Sequence, residues 1–97
     1  MKKLVAVPCF NEEDNIDSCI ESLLSLKNEK IDVFDILVVN DGSKDDTNKK
    51  LSQFGNLITV ISSKQNFGLS EVFNSILYFS REENYDQLII FDSDNQY

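Results

Sequence analysis

The sequence predicts an α/β domain built on an open, doubly wound, mostly parallel sheet. Three observations predict it. Four short apolar runs, at residues 4–7, 36–39, 57–61 and 88–91, are continuous rather than alternating, as in strands covered on both faces. Three amphipathic stretches with helical spacing alternate with them. Polar turns follow the strands, and right-handed crossovers turn such a strand-helix series into a wound sheet.

The first strand is Leu4-Val5-Ala6-Val7, and Pro8 is expected to end it because proline cannot donate to a ladder. Asn11 reads as the cap of the first helix, with Glu12, Glu13 and Asp14 at the positive end of its dipole. Ile16, Cys19, Ile20, Leu23, Leu24 and Leu26 give that helix one apolar face as far as Lys27. Residues 28–32 form a polar connection. Ile36-Leu37-Val38-Val39 is the second strand, broken by Asn40-Asp41-Gly42-Ser43. Asp45, Asp46 and Thr47 open a second helix, with Leu51 and Phe54 as its apolar contacts and Gly55-Asn56 as its stop. Residues 57–61 form the third strand, and Asn66-Phe67-Gly68 turns the chain again. Ser70 and Glu71 open a third helix, with Val72, Phe73, Ile76, Leu77 and Phe79 expected on its buried side. The fourth strand, Leu88-Ile89-Ile90-Phe91, stops at two carboxylates one residue apart, Asp92 and Asp94.

The chain has 97 residues, enough for one domain with a modest core, and no internal boundary is visible. Its net charge of −8 argues against a nucleic-acid or anionic-membrane surface. A nucleotide remains compatible, because a metal ion and backbone N–H groups hold phosphates without basic side chains. With no histidine, a His base or a His-containing metal site is excluded within the chain. Cys9 and Cys19 make no metal-binding pattern and read as buried free thiols, which points to a reduced, cytoplasmic compartment. The apolar run after Lys3 is too short for a signal peptide, and no segment is long enough to cross a membrane. Because the carboxylate loop is followed at once by Tyr97, the sequence is expected to be the first part of a longer protein, truncated after its fourth strand.

In open α/β sheets, ligands bind beyond the carboxyl ends of the strands. Three polar stretches fall there, at residues 8–12, 40–45 and 92–96, and Gly68 lies near the exit of the third strand. Each has an ordinary reading: Phe10 as a packing hydrophobe, Glu12 as a dipole partner, Asp41-Gly42-Ser43 as a turn, and Asp92-Ser93-Asp94 as an acidic loop. Gathered on one edge, they also make a nucleotide-diphosphate site with no Gly-rich phosphate loop. Phe10 then stacks on a base, Asp41 accepts a base N–H, and Asp92 accepts a ribose hydroxyl. Asp94 holds a hard divalent ion, Mg²⁺ or Mn²⁺, that bridges the diphosphate.

Val7-Pro8-Cys9-Phe10-Asn11-Glu12-Glu13 resembles the opening of the family 2 glycosyltransferases. Val38-Val39-Asn40-Asp41-Gly42-Ser43-Lys44-Asp45-Asp46-Thr47 resembles their second signature, and Asn66-Phe67-Gly68 and Phe91-Asp92-Ser93-Asp94-Asn95-Gln96 resemble the third and fourth. The ending is most similar to the branch that includes dolichyl- and polyprenyl-phosphate sugar synthases. The resemblance implies a Rossmann-like GT-A fold, a UDP- or GDP-linked sugar donor, a divalent metal, and transfer with inversion. It implies that Pro8, Phe10 and Glu12 line the base and ribose pocket, that Asp41 contacts the base, and that Gly68 lets backbone run close to the donor. Asp92 then lies near the ribose or sugar, and Asp94 ligates the metal. The acceptor stays open among lipid phosphate, polysaccharide, as in cell-wall synthesis, and protein, and the location is expected to be cytoplasmic, either free or at the cytoplasmic face of a membrane in the full-length protein.

Three positions depart from the pattern. Asn40 replaces the first Asp common before Asp-Gly-Ser, Gln65 stands where a basic residue is frequent, and Ile76 stands where Gly is often found. Inverting members take the acceptor's proton with a carboxylate well beyond the metal motif. The chain is therefore expected to supply the donor-binding half and no catalytic base, and to be inactive alone. A non-catalytic nucleotide-binding module is the alternative. A receiver-type signalling domain wants its acidic pair after the first strand, where Pro8-Cys9-Phe10-Asn11 stands, and a nucleotidyltransferase wants a basic Gly-rich loop there. An unpaired fourth strand would be an apolar edge, so self-association through residues 88–91 is expected.

Overall fold

The computed structural model describes residues 2–28 and 33–92. The polar connection at 29–32 and the loop from Ser93 onward, with Asp94, lie outside the described residues. In order, the elements are β1 (Lys3–Cys9), α1 (Ile16–Asn28), β2 (Asp35–Asp41), α2 (Thr47–Ser52), a single 3₁₀ turn (Gly55–Leu57), β3 (Thr59–Ser63), α3 (Leu69–Glu82) and β4 (Gln87–Ile90). The strands lie in the order β3-β2-β1-β4, every pair parallel. The chain winds outward from β1 to β3 and then returns to the other side of β1. Strand order reverses there, and a crevice opens beyond the carboxyl ends of the strands at such a reversal.

Side-chain alternation along the two inner strands builds two core layers. Val5, Val7 and Cys9 of β1 and Ile36 and Val38 of β2 pack with Ile16, Cys19, Ile20 and Leu23 of α1 and with Leu51 of α2. Leu4, Ala6, Leu37 and Val39 point the opposite way, onto Val72 and Ile76 of α3. Helices therefore cover both faces, as the continuous apolar runs predict.

The structure corrects five local expectations. Pro8 does not end β1 but lies inside it, in register with Val39. Ala6 accepts the Phe91 N–H on the β4 side, so the alternation puts the missing proline donor on that side too, past Ile90 where β4 has ended. Asn11 is not a helix cap. It has a left-handed φ of 51°, and α1 begins only after a turn in which the Glu12 carbonyl accepts from Asn15 and Ile16. The third strand starts at Thr59 rather than Leu57, which belongs to the 3₁₀ turn. Its Val60 and Ile61 are more than a third exposed, because β3 is an outer strand and α3 sits over β1 and β2. On α3, Phe73 and Leu77 are exposed. Val72 and Ile76, with half-buried Phe79 one turn on, form the stripe that packs on the sheet layer, and the residues next to them point about 100° away.

The amino-terminal edge is tied off separately. The Tyr85 hydroxyl donates to Asp35 Oδ2 at 2.7 Å, and the Lys2 ammonium lies 4.4 Å above the Tyr85 ring. Burial, and then the bond to Asp35, push the Tyr85 phenol upward. Among the described residues no helix is long and apolar enough to cross a membrane.

Candidate functional site

A crevice of about 410 Å³ opens at the carboxyl edge, lined by Pro8, Cys9, Phe10, Glu12, Asp41, Asn66, Gly68, Leu69, Val72 and Asp92. The structure thus brings together Pro8, Phe10, Glu12, Asp41, Gly68 and Asp92, six of the seven residues selected from the sequence. The seventh, Asp94, lies outside the described residues. Among the described residues, the lining holds three carboxylates and no lysine or arginine.

Two consecutive residues at the end of β2 hold the two walls. Asp41 shares the face of Leu37 and Val39, toward α3, and is buried. Its Oδ1 accepts the Phe67 N–H at 2.9 Å and its Oδ2 the Gly68 N–H at 3.0 Å. The Ser63 hydroxyl adds a longer bond of 3.3 Å. The carboxylate therefore ties down the loop between β3 and α3. Gly68, at φ 93° and ψ 167°, occupies backbone space available essentially to glycine alone, with open space where a Cβ would be.

Asn40 points the other way, toward α1 and α2, and is fully buried. Its Oδ1 accepts the Ser43 hydroxyl and its Nδ2 donates to Asn48 Oδ1. Ser43 Oγ in turn accepts the Asn11 N–H at 2.9 Å, and Asn11 Oδ1 accepts the Lys44 N–H at 2.7 Å. Next along the chain, the Glu12 N–H donates to Thr47 Oγ1 at 3.0 Å. These bonds hold the loop between β1 and α1, which carries Phe10 and Glu12. Sequence reasoning missed Asn40, Ser43 and Asn11 in this role. The available signal was parity: adjacent strand residues face opposite layers.

Asp45 holds the start of α2. Its Oδ1 accepts both the N–H and the hydroxyl of Thr47, and its Oδ2 accepts the Glu13 N–H. Burial pushes its carboxyl upward, but these bonds outweigh it and hold the group below the usual carboxylate range. Asp45→Ala is expected to lower stability at neutral pH by about 1 kcal/mol, the net cost of these lost hydrogen bonds. A depressed carboxyl contributes its stability above its ordinary value and loses it as acid protonates the folded form. The gap between wild type and variant in urea unfolding should therefore close on acidification below about pH 4.

The Cys9 thiol is pushed up to about 12, first by burial and then by the Glu12 carboxylate. Cys19 is pushed to about 11, by burial and then by Asp92. Both stay protonated at neutral pH, as expected of buried free thiols. What remains is a set of hard oxygen donors beside an apolar floor.

The comparisons with known proteins agree with this geometry. A family model described as Glycosyl transferase family 2 matches residues 4–97. Poly-beta-1,6-N-acetyl-D-glucosamine synthase of Staphylococcus aureus is 28% identical over 88 residues, covering 89% of this chain and 20% of that protein. The structure of glucosyl-3-phosphoglycerate synthase from Mycobacterium tuberculosis, in complex with Mn²⁺, UDP and glucosyl-3-phosphoglycerate, superposes with a TM-score of 0.71 at 28% identity, over 95% of this chain and 33% of that one. A mannosyltransferase from Pyrobaculum calidifontis, solved with GDP-Man and Mn²⁺, superposes with a TM-score of 0.79 over 96% of this chain and 27% of that one; at 21% identity it attests the fold alone. The chain spans roughly a fifth to a third of the lengths of these proteins. With a parallel wound sheet, its crevice at the reversal of strand order, and a family match over nearly every residue, the chain belongs to glycosyl transferase family 2.

Proposed function

We propose that the crevice binds the nucleoside diphosphate of a sugar donor and that residues 1–97 supply the donor-binding part of an inverting glycosyl transfer. One observation carries this reading: a single crevice collects Pro8, Phe10, Glu12, Asp41, Gly68 and Asp92. In this reading Phe10, 41% exposed at the mouth, stacks on the base, and Asp41 faces the base edge with the lone pairs that Phe67 and Gly68 leave. Asp92 accepts from the ribose or sugar. The relative that binds UDP with Mn²⁺ supports UDP over GDP as the base carrier.

The proposed donor site includes a divalent metal, although among the described residues no three candidate ligands cluster as a metal site. A diphosphate entering a crevice lined, among the described residues, by three carboxylates and no basic side chain needs a cation to meet it. The donors are carboxylate oxygens, which suit Mg²⁺ or Mn²⁺. Asp41 is already committed to backbone N–H groups, and Asp94 is the metal ligand proposed from the sequence. Bound there, the ion would neutralise charge on the leaving diphosphate. The chain's own residues position the base, hold the two loops apart and keep the floor dry. The acceptor is proposed to be a polysaccharide, in line with the staphylococcal relative, rather than a lipid phosphate. Its activating carboxylate is expected outside this sequence.

Calorimetric titration with UDP and GDP, each with and without Mn²⁺, tests the reading. Metal-dependent binding of UDP, without sugar transfer by the 97-residue chain, is the expected result. Binding that ignores metal, or turnover by this chain, would contradict it.

Self-association is proposed as well. β4 pairs only with β1 among the described residues, and its Ile89 and Ile90 are almost half exposed. An open apolar edge templates pairing with another strand. Sedimentation should show dimers at high concentration, and Ile89→Lys should suppress them. A strictly monomeric profile would count against this.

A further inference from the structure

We infer that Asn40 is the positioning residue of the crevice: through Ser43 it fixes Asn11, and so sets Phe10 and Glu12 against the bound nucleoside diphosphate. The inference rests on the nucleotide reading of the crevice for its consequence, but its structural part stands without it. Asn11 has a left-handed backbone, at φ 51°, a conformation that asparagine adopts more readily than other non-glycine residues but that its surroundings must hold in place. It lies between Phe10 and Glu12, so its backbone angle sets the direction in which both side chains leave β1. Two bonds hold it there: its N–H to Ser43 Oγ, and the Lys44 N–H to its Oδ1.

The first bond depends on Asn40. A serine hydroxyl has one proton. Because that proton goes to Asn40 Oδ1, the Ser43 lone pairs are left to receive Asn11. The other end of the Asn40 amide is fixed in turn, since its Nδ2 donates to Asn48 Oδ1, which also accepts the Ser62 hydroxyl at 3.1 Å. One side chain thus couples β3, α2, the turn after β2 and the turn after β1. Asn40 is fully buried, so water does not replace a partner that Asn40 itself loses, whereas Ser43, Asn48 and Asn11 keep solvent access. The two backbone N–H bonds of the Asp41 clamp on the opposite face use none of these side-chain partners, and only the Ser63 hydroxyl reaches both Asp41 Oδ1 and the Asn40 backbone carbonyl. The two walls should therefore loosen independently.

The resemblance leads one to expect Asp at position 40. An aspartate keeps the acceptor that Ser43 needs and loses only the donor to Asn48, whose amide can turn over to donate instead. That makes Asn40→Asp the conservative rescue and Asn40→Leu the disruptive change. Ser43→Ala, at a partly exposed turn, is the variant that folds if Asn40→Leu does not.

The test is amide hydrogen exchange on the whole chain, with UDP affinity in Mn²⁺ as a second readout. In Asn40→Leu and Ser43→Ala, exchange at Asn11 and Lys44 is expected to rise about tenfold or more, with Phe67 and Gly68 unchanged. UDP affinity should fall in step, and Asn40→Asp should restore both toward wild type. Unchanged exchange at Asn11 in Ser43→Ala would overturn the inference. So would equal loosening at Phe67 and Gly68, which would mark a general loss of stability. If wild type binds no UDP, the nucleotide reading fails, while the exchange pattern still decides whether Asn40 positions the loop.

Discussion

Asp41→Ala is expected to lower stability by about 3 kcal/mol and to abolish nucleotide binding, since two hydrogen bonds to a charged acceptor are lost and two backbone donors are orphaned. The donors are Phe67 N–H and Gly68 N–H, at 2.9 and 3.0 Å from the two carboxylate oxygens. Asp41→Asn should recover only part of the loss. One amide oxygen can still accept from one of them, but the NH₂ group then faces the other donor. Urea unfolding measures the stability term. Hydrogen exchange at Phe67 and Gly68 shows whether the loss is in the clamp. If both amides keep their wild-type protection in Asp41→Ala, the carboxylate does not hold the loop.

Gly42→Ala should be as damaging, for a steric reason. Gly42 has φ +72°, and a Cβ there would lie 2.3 Å from the Gln65 carbonyl carbon and 2.4 Å from the Asn66 nitrogen. Both are backbone atoms, so no rotamer change relieves the contact. The left-handed backbone alone costs roughly 1–2 kcal/mol, and moving the loop at 65–68 raises the total to about 3 kcal/mol or more. Because that loop brings Asn66 and Gly68 to the crevice, nucleotide affinity should fall with stability. Gly55→Ala is the control. Its φ is +53° with nothing within 4 Å of the new Cβ, so it should show only the backbone cost of roughly 1 kcal/mol. Equal thermal shifts for the two variants would mean that the close approach of the two loops is unimportant.

Much of this architecture is legible in the sequence, because two periodicities carry it. The spacing of Ile16, Cys19, Ile20 and Leu23 marks the buried face of α1, and the continuous runs mark strands covered on both sides. What stayed hidden depends on which strand lies outermost. Nothing in Leu57-Ile58-Thr59-Val60-Ile61 shows that β3 is an edge, and the exposure of Val60 and Ile61 follows from that position. Pro8 inside β1 and the left-handed Asn11 are likewise tertiary outcomes. One depends on where β4 stops, the other on Ser43 and Lys44, more than thirty residues away.

The candidate site was legible for a different reason. Strand ends can be read from apolar runs, and strand ends in a parallel sheet share an edge. That placed the stretches carrying Pro8, Phe10, Glu12, Asp41, Gly68 and Asp92 on one edge without any contact being known, and the family resemblance singled out those residues within them. The supporting bonds could not be read, because Asn40 carries no label for Ser43 or Asn48, and Gly42 reads as a turn residue rather than the floor beneath Gln65.

The most direct test of the central claim is an amide NMR titration of this chain with UDP and GDP, with and without Mn²⁺, repeated on Asp94→Asn. The account predicts shifts clustered at Phe10, Glu12, Asp41, Gly68 and Asp92 that need metal and vanish in the variant, with UDP the better ligand. A folded sample in which neither nucleotide moves those residues, or in which the shifts fall along α3 and β3 instead, would contradict it.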